Sequence, residues 1–142
     1  TSAPAIADYA AELLAADGLD LTEKDSYIDS REKVHFNRLS AAERKALIEK
    51  NPAYGRVICR CETVTEGEIL DAIHSPIPPV SVDGIKRRTG AGMGRCQGGF
   101  CGPRVLELIS KTLGISPLDV LQDKAGTNVL LCETKQEENH HD

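Results

Sequence analysis

The chain has 142 residues, which is enough for one small domain and an extension. Its net charge of −5 argues against nucleic acid as a partner. No apolar run approaches the roughly 18 residues that would predict a membrane span. Aromatic residues make up 4% of the chain and Trp is absent, so the core must be thin and aliphatic. A bound metal centre would stabilise such a domain.

The beginning of the chain predicts an amphipathic helix over residues 3–17. Gly18 is a natural stop, since glycine readily adopts the left-handed backbone that follows a helix end. Residues 18–38 are mixed and charged and lack a clear period, which predicts a linker. The helix places its apolar side chains on one stripe, formed by Ile6, Ala10, Leu13 and Leu14.

Two capping boxes predict the starts of two further helices. In each box a Ser or Thr is followed three residues later by Glu, and the two residues satisfy backbone N–H groups that the first helical turn leaves without partners. Ser40 and Glu43 open a helix that ends near Lys50. Thr65 and Glu68 open the next one.

Proline and glycine mark the ends of the next two helices. A short helix is predicted from about Ser81 to Arg88, and Gly90 ends it. Pro103 suits the first turn of a longer helix, which runs to Leu113 before another glycine. Both helices carry aliphatic residues that predict a buried face.

The remaining segments are short. Ser116 is expected to cap one more short helix. Residues 54–58 and 129–132 predict brief extended segments. Residues 132–142 predict a flexible tail, with the acidic end from Gln136 onward disordered.

Four of the five cysteines form two pairs whose spacing is typical of a metal centre. Cys59 and Cys61 are separated by one residue, while Cys96 and Cys101 follow after 34 intervening residues and enclose four residues. Zinc prefers wider knuckle spacing, whereas iron–sulfur clusters accept several spacings of four thiolates. A 2Fe–2S cluster is therefore the favoured interpretation.

The chemistry of such a cluster constrains both loops. Two bridged irons need two thiolates each, so we expect each cysteine pair to serve one iron. The first pair must be bent, since residues two apart on a strand point to opposite faces. Around the second pair, glycines leave backbone N–H groups free to point at sulfur. Cys101 is expected at a helix N-terminus, where the dipole favours thiolate. Basic residues that would offset the cluster charge are Arg60, Lys86, Arg87, Arg88, Arg95 and Arg104.

Three other interpretations of the cysteines stay open. The cysteines could form two disulfides, which would leave one cysteine over. No secretory segment is visible, which predicts a cytoplasmic protein, and disulfides are rare in that reducing compartment. A structural zinc site could use the same four thiolates. Unrelated buried cysteines are common core residues. Cys132 has no partner nearby in sequence and is expected to lie outside the ligand set.

Residues 56–104 resemble the domain of bacterioferritin-associated ferredoxin. They resemble more closely the version fused to the C-terminus of FAD-dependent dehydrogenases of the anaerobic glycerol-3-phosphate dehydrogenase type. Both cysteine pairs carry the resemblance, together with the intervening Asp-Gly-Ile-Lys-Arg-Arg-Thr of residues 83–89. The four residues inside the second pair match the fused version, since the free ferredoxin has a shorter gap. In this family the matching cysteines bind a 2Fe–2S cluster within a small helical fold; here they are Cys59, Cys61, Cys96 and Cys101.

The resemblance implies a division of the chain. Residues 1–50 would be the end of an FAD-dependent oxidoreductase domain and a helical linker. Residues 51–131 would form the 2Fe–2S-binding helical domain, and residues 132–142 the flexible tail. The expected fold is mainly α, with short helices around a four-cysteine cluster loop and an N-terminal helical extension. No complete active site and no FAD site are expected in this chain.

The implied function is relay of single electrons from reduced FAD in the parent dehydrogenase to a downstream acceptor. The expected partners are therefore the upstream FAD domain and that acceptor. The parent would oxidise a small hydroxylated substrate such as glycerol 3-phosphate. Two alternatives stay open: a redox- or iron-sensing or metal-delivery module, and a structural zinc domain. Without the FAD domain, residues 1–17 are expected to be disordered or to self-associate through the apolar stripe.

Other residues give weaker signals. The histidines do not cluster with the cysteines and are expected at the surface; they are His35, His74, His140 and His141. The glycines of residues 90–94 resemble a nucleotide loop superficially, but no βαβ pattern surrounds them. Arg87 and Arg88 could dock an acidic partner or simply form a charged helix surface, and both interpretations stay open.

Overall fold

The computed structural model describes residues 1–27, residue 30 and residues 33–134. The contacts divide the chain into two units, Thr1–Lys33 and Val34–Asp142, and each is described by itself. The described residues are mainly helical and contain one two-stranded sheet, which confirms the predicted fold class. None of the helices in these residues is long and apolar enough to cross a membrane. Residues 135–142 of the predicted tail, with His140 and His141, lie outside the described residues.

The first unit contains the predicted N-terminal helix, α1 (Ala3–Ala16). Gly18 follows it with a φ of 92°, the left-handed conformation expected after the helix end. The apolar stripe is exposed: Ile6 retains 64% and Leu13 53% of its accessible surface. The helix is formed with its stripe exposed, and self-association through the stripe stays a prediction.

The second unit begins before the predicted end of the linker. Residues Phe36–Arg38 form a 3-10 turn, and Phe36 is buried. The Phe36 backbone N–H donates to Glu68 Oε1 at 3.1 Å. Arg44 donates to the Phe36 carbonyl at 3.0 Å, and its guanidinium lies 5.2 Å from the Phe36 ring centroid. The linker prediction was wrong at this end, because one buried aromatic residue produces no periodic pattern.

Both capping boxes are present. Helix α2 (Ala41–Lys50) begins after Ser40. The Ser40 hydroxyl accepts from the Glu43 backbone N–H, and the Glu43 carboxylate accepts from the Ser40 backbone N–H. Helix α3 (Glu66–Ile73) begins after Thr65, whose backbone N–H donates to Glu68 Oε2 at 2.8 Å. Glu68 thus bonds to both its own helix start and the Phe36 turn. The division at residue 50 stays a prediction, although the compact unit extends upstream of it.

A small antiparallel sheet leads into the first cysteine loop. Strand β1 (Val57–Cys59) pairs with β2 (Val64–Thr65), which the sequence did not predict. The extended segment predicted over residues 54–58 was wrong at its start. Tyr54 is buried in a 3-10 turn, Pro52–Gly55, which the Asn51 side chain caps by accepting from the Ala53 backbone N–H.

The last two helices end at the glycines that the sequence predicted. Helix α4 (Val82–Thr89) is followed by Gly90 with a φ of 83°. Helix α5 (Gly102–Leu113) is followed by Gly114 with a φ of 66°. In both cases a left-handed residue ends the helix, a conformation that only glycine adopts at little cost.

The segment after α5 returns to the start of α4. The predicted short helix near Ser116 is a 3-10 turn, Pro117–Asp119. The strand predicted over residues 129–132 was wrong. Only Val129 bonds to Val120, at 3.1 Å, because the chain turns back here and forms isolated bridges rather than a ladder.

The core of the second unit is aliphatic, as its composition requires. Burial of each such side chain stabilises the fold by about 1.5–3 kcal/mol. Two of the motif cysteines belong to this core, so the cysteine loops are packed into the domain. The fully covered side chains are Ile69, Ile85, Ile109, Val120, Thr65, Cys59 and Cys101.

Candidate metal centre

The four motif cysteines are brought together from three places in the fold. Cys59 ends β1, and Cys61 lies in the turn that follows. Cys96 lies in the loop after α4, and Cys101 is the residue at the start of α5. As predicted, the first pair is bent away from an extended strand.

The closest sulfur contacts cross between the two loops. The Sγ atoms of Cys61 and Cys96 are 3.7 Å apart. Two thiolates on one tetrahedral metal, with bonds of about 2.3 Å, would lie roughly 3.8 Å apart. The Cys101 thiol in turn neighbours Cys59. The expectation that each sequence pair serves one iron stays a prediction.

The two pairs differ in their surroundings. Cys59 and Cys101 are buried, with 1% and 2% of their surface exposed, whereas Cys61 and Cys96 are exposed. Within the described residues, no three His, Cys, Asp or Glu side chains meet at a point where they could hold one ion. The four thiols therefore lie as one exposed and one buried pair.

The glycine loop closes tightly over the first cysteine pair. Gly94 is buried against Cys61, and a Cβ at position 94 would lie 2.3 Å from the Cys61 Cβ and 2.9 Å from Glu62 Oε1. No side chain fits there without moving the Cys61 turn. The backbone N–H groups of Phe100 and Gly98 lower the pKa of the Cys96 thiol. That backbone N–H groups point at the sulfur atoms of a bound cluster stays a prediction.

These surroundings shift the thiol pKa values in opposite directions. The Phe100 backbone N–H, and next the Cys61 thiol, lower the pKa of Cys96. Burial, and next the neighbouring Cys59, raise the pKa of Cys101 to about 11. Cys101 lies at the start of a helix, as predicted, but burial raises rather than lowers the pKa of its thiol. A metal binding at Cys101 must displace a proton.

A cation–aromatic contact joins the two cysteine loops on the surface. The Arg60 guanidinium lies 4.7 Å from the centroid of the Phe100 ring. Arg60 stands between Cys59 and Cys61, and Phe100 immediately precedes Cys101. Sequence analysis did not single out Phe100, although its place inside the second cysteine pair was a usable signal.

Other predicted residues lie away from the cysteines. Arg87 donates to Asp123 at 2.7 Å, so its charge is used within the domain. His35 and His74 are exposed, as expected. Cys132 is exposed and lies beyond the last helix.

Comparison with known proteins identifies the class of this domain. Residues 57–111 match the family model described as the BFD-like 2Fe-2S binding domain. This match confirms the predicted resemblance and the predicted 2Fe–2S cofactor class. No solved structure matches the chain.

The chain is also similar to longer proteins. It is 41% identical over 138 residues to a glycerol 3-phosphate dehydrogenase of Caloramator mitchellensis, covering 96% of this chain and 29% of that protein. It is 38% identical over 64 residues to one subunit of the opine oxidase of Rhizobium meliloti, covering 45% of this chain and 12% of that protein. It is 33% identical over 66 residues to one subunit of the anaerobic glycerol-3-phosphate dehydrogenase of Escherichia coli (strain K12), covering 46% of this chain and 12% of that protein. The chain thus spans less than a third of the relatives it matches.

Proposed function

We propose that this chain is the electron-relay part of a larger FAD-dependent dehydrogenase. A 2Fe–2S cluster held by Cys59, Cys61, Cys96 and Cys101 would receive electrons from reduced flavin and deliver them to an acceptor. The observation that carries the proposal is the convergence of these cysteines as two close thiol pairs within a BFD-like domain.

The residues present fit such a cluster. When bound, a 2Fe–2S cluster takes up and gives back one electron at a time, whereas a flavin supplies two. Cys59 and Cys101 would hold it from the core side, shielded from water, and Cys61 and Cys96 from the surface side. Gly94 leaves room for the Cys61 turn, and the N–H groups at Cys96 stabilise negative charge on sulfur.

The parent enzyme is proposed from similarity over nearly the whole chain. The match to the Caloramator mitchellensis protein covers 138 residues and so extends well beyond residues 57–111. It supports a parent protein that is longer than this chain and oxidises a small hydroxylated substrate such as glycerol 3-phosphate. In this proposal an upstream FAD domain covers the apolar stripe of α1. The five unpaired cysteines suit a reducing, cytoplasmic location.

A redox- or iron-sensing role, with metal delivery, is the second candidate. It is favoured by the exposure of Cys61 and Cys96, which would leave one edge of the cluster open to solvent. Reversible reduction and reoxidation without loss of iron is the behaviour of a relay. Release of iron on each reduction cycle would favour the sensing or delivery role.

The ligand set is tested by absorbance of the anaerobically purified chain. The wild-type protein should be red-brown, because a 2Fe–2S cluster absorbs visible light. A protein that held zinc instead would be colourless. Changing any one of Cys59, Cys61, Cys96 and Cys101 to Ser should remove or strongly destabilise the chromophore, because one iron loses a thiolate. Cys132→Ser is the matched control and should keep the full spectrum. A normal, stable spectrum after a motif change would remove that cysteine from the ligand set.

A further inference from the structure

A groove of about 440 Å³ lies beside the cysteine loops, with lining residues from β1 and α5. We call it the β1–α5 groove. It contains four basic and two acidic side chains, with apolar side chains among them. The lining residues that matter here are Val57, Arg60, Phe100, Arg104, Leu108 and Lys111.

Both carboxylates of the groove are already neutralised. Glu66 forms an ion pair with Arg56, which also lines the groove. Glu107 accepts from Arg104 at 3.3 Å and from Lys111 at 2.6 Å. Four cations against two anions leave an excess of two positive charges, in a chain whose net charge is −5. The groove is therefore a locally positive site on an acidic protein.

The end of the groove nearest the cysteines combines positive charge with apolar surface. Arg60 stacks on Phe100, and in the part of the chain that the structure describes no acidic side chain pairs with it. Phe100 keeps 56% of its surface exposed, and Val57 is exposed as well. A ligand that covered this end would gain both charge pairing and apolar burial.

We infer that the β1–α5 groove is the docking surface for the redox protein that takes electrons from the cluster, and that it binds an acidic segment with apolar side chains. The inference rests on the proposed relay function. Arg60 and Phe100 lie between and beside the proposed ligands, so a protein seated on them is close to the cluster. Basic and apolar side chains line the same groove, which suits a peptide segment that carries both acidic and apolar side chains better than one compact anion.

The test measures how fast the reduced cluster is oxidised. One electron passes from the reduced cluster to ferricyanide, which becomes ferrocyanide. A neutral quinone serves as the uncharged oxidant; two reduced clusters and two protons from solvent convert it to the hydroquinone. The groove variant is Arg104→Gln/Lys111→Gln. Its matched control is Arg87→Gln/Lys45→Gln, which removes the same two charges from ion-paired side chains outside the groove.

At low salt, the groove variant should react with trivalent ferricyanide about three- to tenfold more slowly than the wild-type chain. The rate of the control variant should fall much less. The difference should shrink in about 0.5 M salt, where charges are screened within a few ångström. Rates with the quinone should be equal in all variants, which shows that the cluster itself is unchanged.

A second measurement identifies the chemistry of the occupant. A peptide that alternates Glu and Leu should slow oxidation of the wild-type chain by ferricyanide. The same peptide should not slow oxidation of the groove variant. Inorganic phosphate at the same ionic strength should not compete. Competition by phosphate alone would indicate a small-anion site and overturn the inference.

The remaining outcomes are also decisive. Equal slowing in groove and control variants would show an effect of net charge, and no slowing in the groove variant would show that the groove plays no part; either result overturns the inference. A chain with no reducible cluster overturns the proposed function and the inference together. That failure is visible in the spectrum before any oxidant is added, so the two failures are distinguishable.

Discussion

At the scale of single residues, the contact between Gly94 and Cys61 defines how the two cysteine loops fit together. The loop after α4 passes so close to the Cys61 turn that hydrogen is the only side chain with room. Glycine is required at position 94 because of close packing, and not because of an unusual backbone conformation. The position of Gly94 therefore sets the placement of a proposed ligand that it does not itself provide.

Gly94→Ala should reduce cluster incorporation and destabilise the fold by about 1–3 kcal/mol, the usual cost of forcing a methyl group into a packed site. Absorbance per protein and thermal unfolding measure the two effects. Gly102→Ala is the matched control, since a Cβ there has no neighbour within 4 Å. Equal cluster content in the two variants would contradict the packing argument.

The thiols of Cys101 and Cys96 show how environment overrides position. Cys101 lies at a helix N-terminus, yet burial raises the pKa of its thiol to about 11. Cys96 is exposed, and the Phe100 backbone N–H lowers the pKa of its thiol. The sequence indicated the helix start correctly, but the loss of solvation at Cys101 depends on residues far away in the chain.

At the scale of elements, the two capping boxes are chemically alike but differ in burial. Ser40 is exposed, whereas Thr65 is fully covered and its hydroxyl lies 2.9 Å from Glu68 Oε2. Glu68 also accepts from the Phe36 backbone N–H. The second box therefore joins a helix start to the upstream turn, while the first supports its own helix alone.

Thr65→Ala should destabilise the domain more than Ser40→Ala, because it leaves buried polar groups without partners. We expect a loss of about 1–2 kcal/mol for Thr65→Ala and about 0.5–1 kcal/mol for Ser40→Ala. Chemical denaturation of both variants with the cluster bound measures the difference. Equal losses would show that burial of the second box contributes nothing.

At the scale of the whole molecule, α1 is an amphipathic helix whose apolar stripe is exposed. Exposed apolar stripes favour association with another surface. In the proposed parent enzyme that surface is the FAD domain. In the 142-residue chain alone, a second copy is the available partner.

The chain should therefore form dimers or larger species as its concentration rises, measured by sedimentation velocity. Leu13→Lys should weaken this association about tenfold or more, since it places a charge on the stripe. Ala15→Lys adds the same charge on the opposite side of α1 and should have little effect. A wild-type chain that stays monomeric at all concentrations would contradict the prediction.

Local signals were sufficient for most of the elements. Capping boxes, prolines and terminal glycines predicted α1 to α5 closely, because these residues act on backbone groups within a few positions of themselves. Strand β2, the Phe36 turn and the missing strand at residues 129–132 were not predictable in this way. Each depends on a partner from elsewhere in the chain.

The sequence by itself determined the class of this protein, since two cysteine pairs of specific spacing, set in a glycine-rich segment, carry the chemistry of a 2Fe–2S domain. Only the tertiary structure decided which thiols lie together, which of them are buried, and where a positive groove opens beside them. The reason is physical. Ligand type and spacing are properties of the covalent chain, whereas solvation, thiol pairing and surface charge arise from residues that only folding brings into contact.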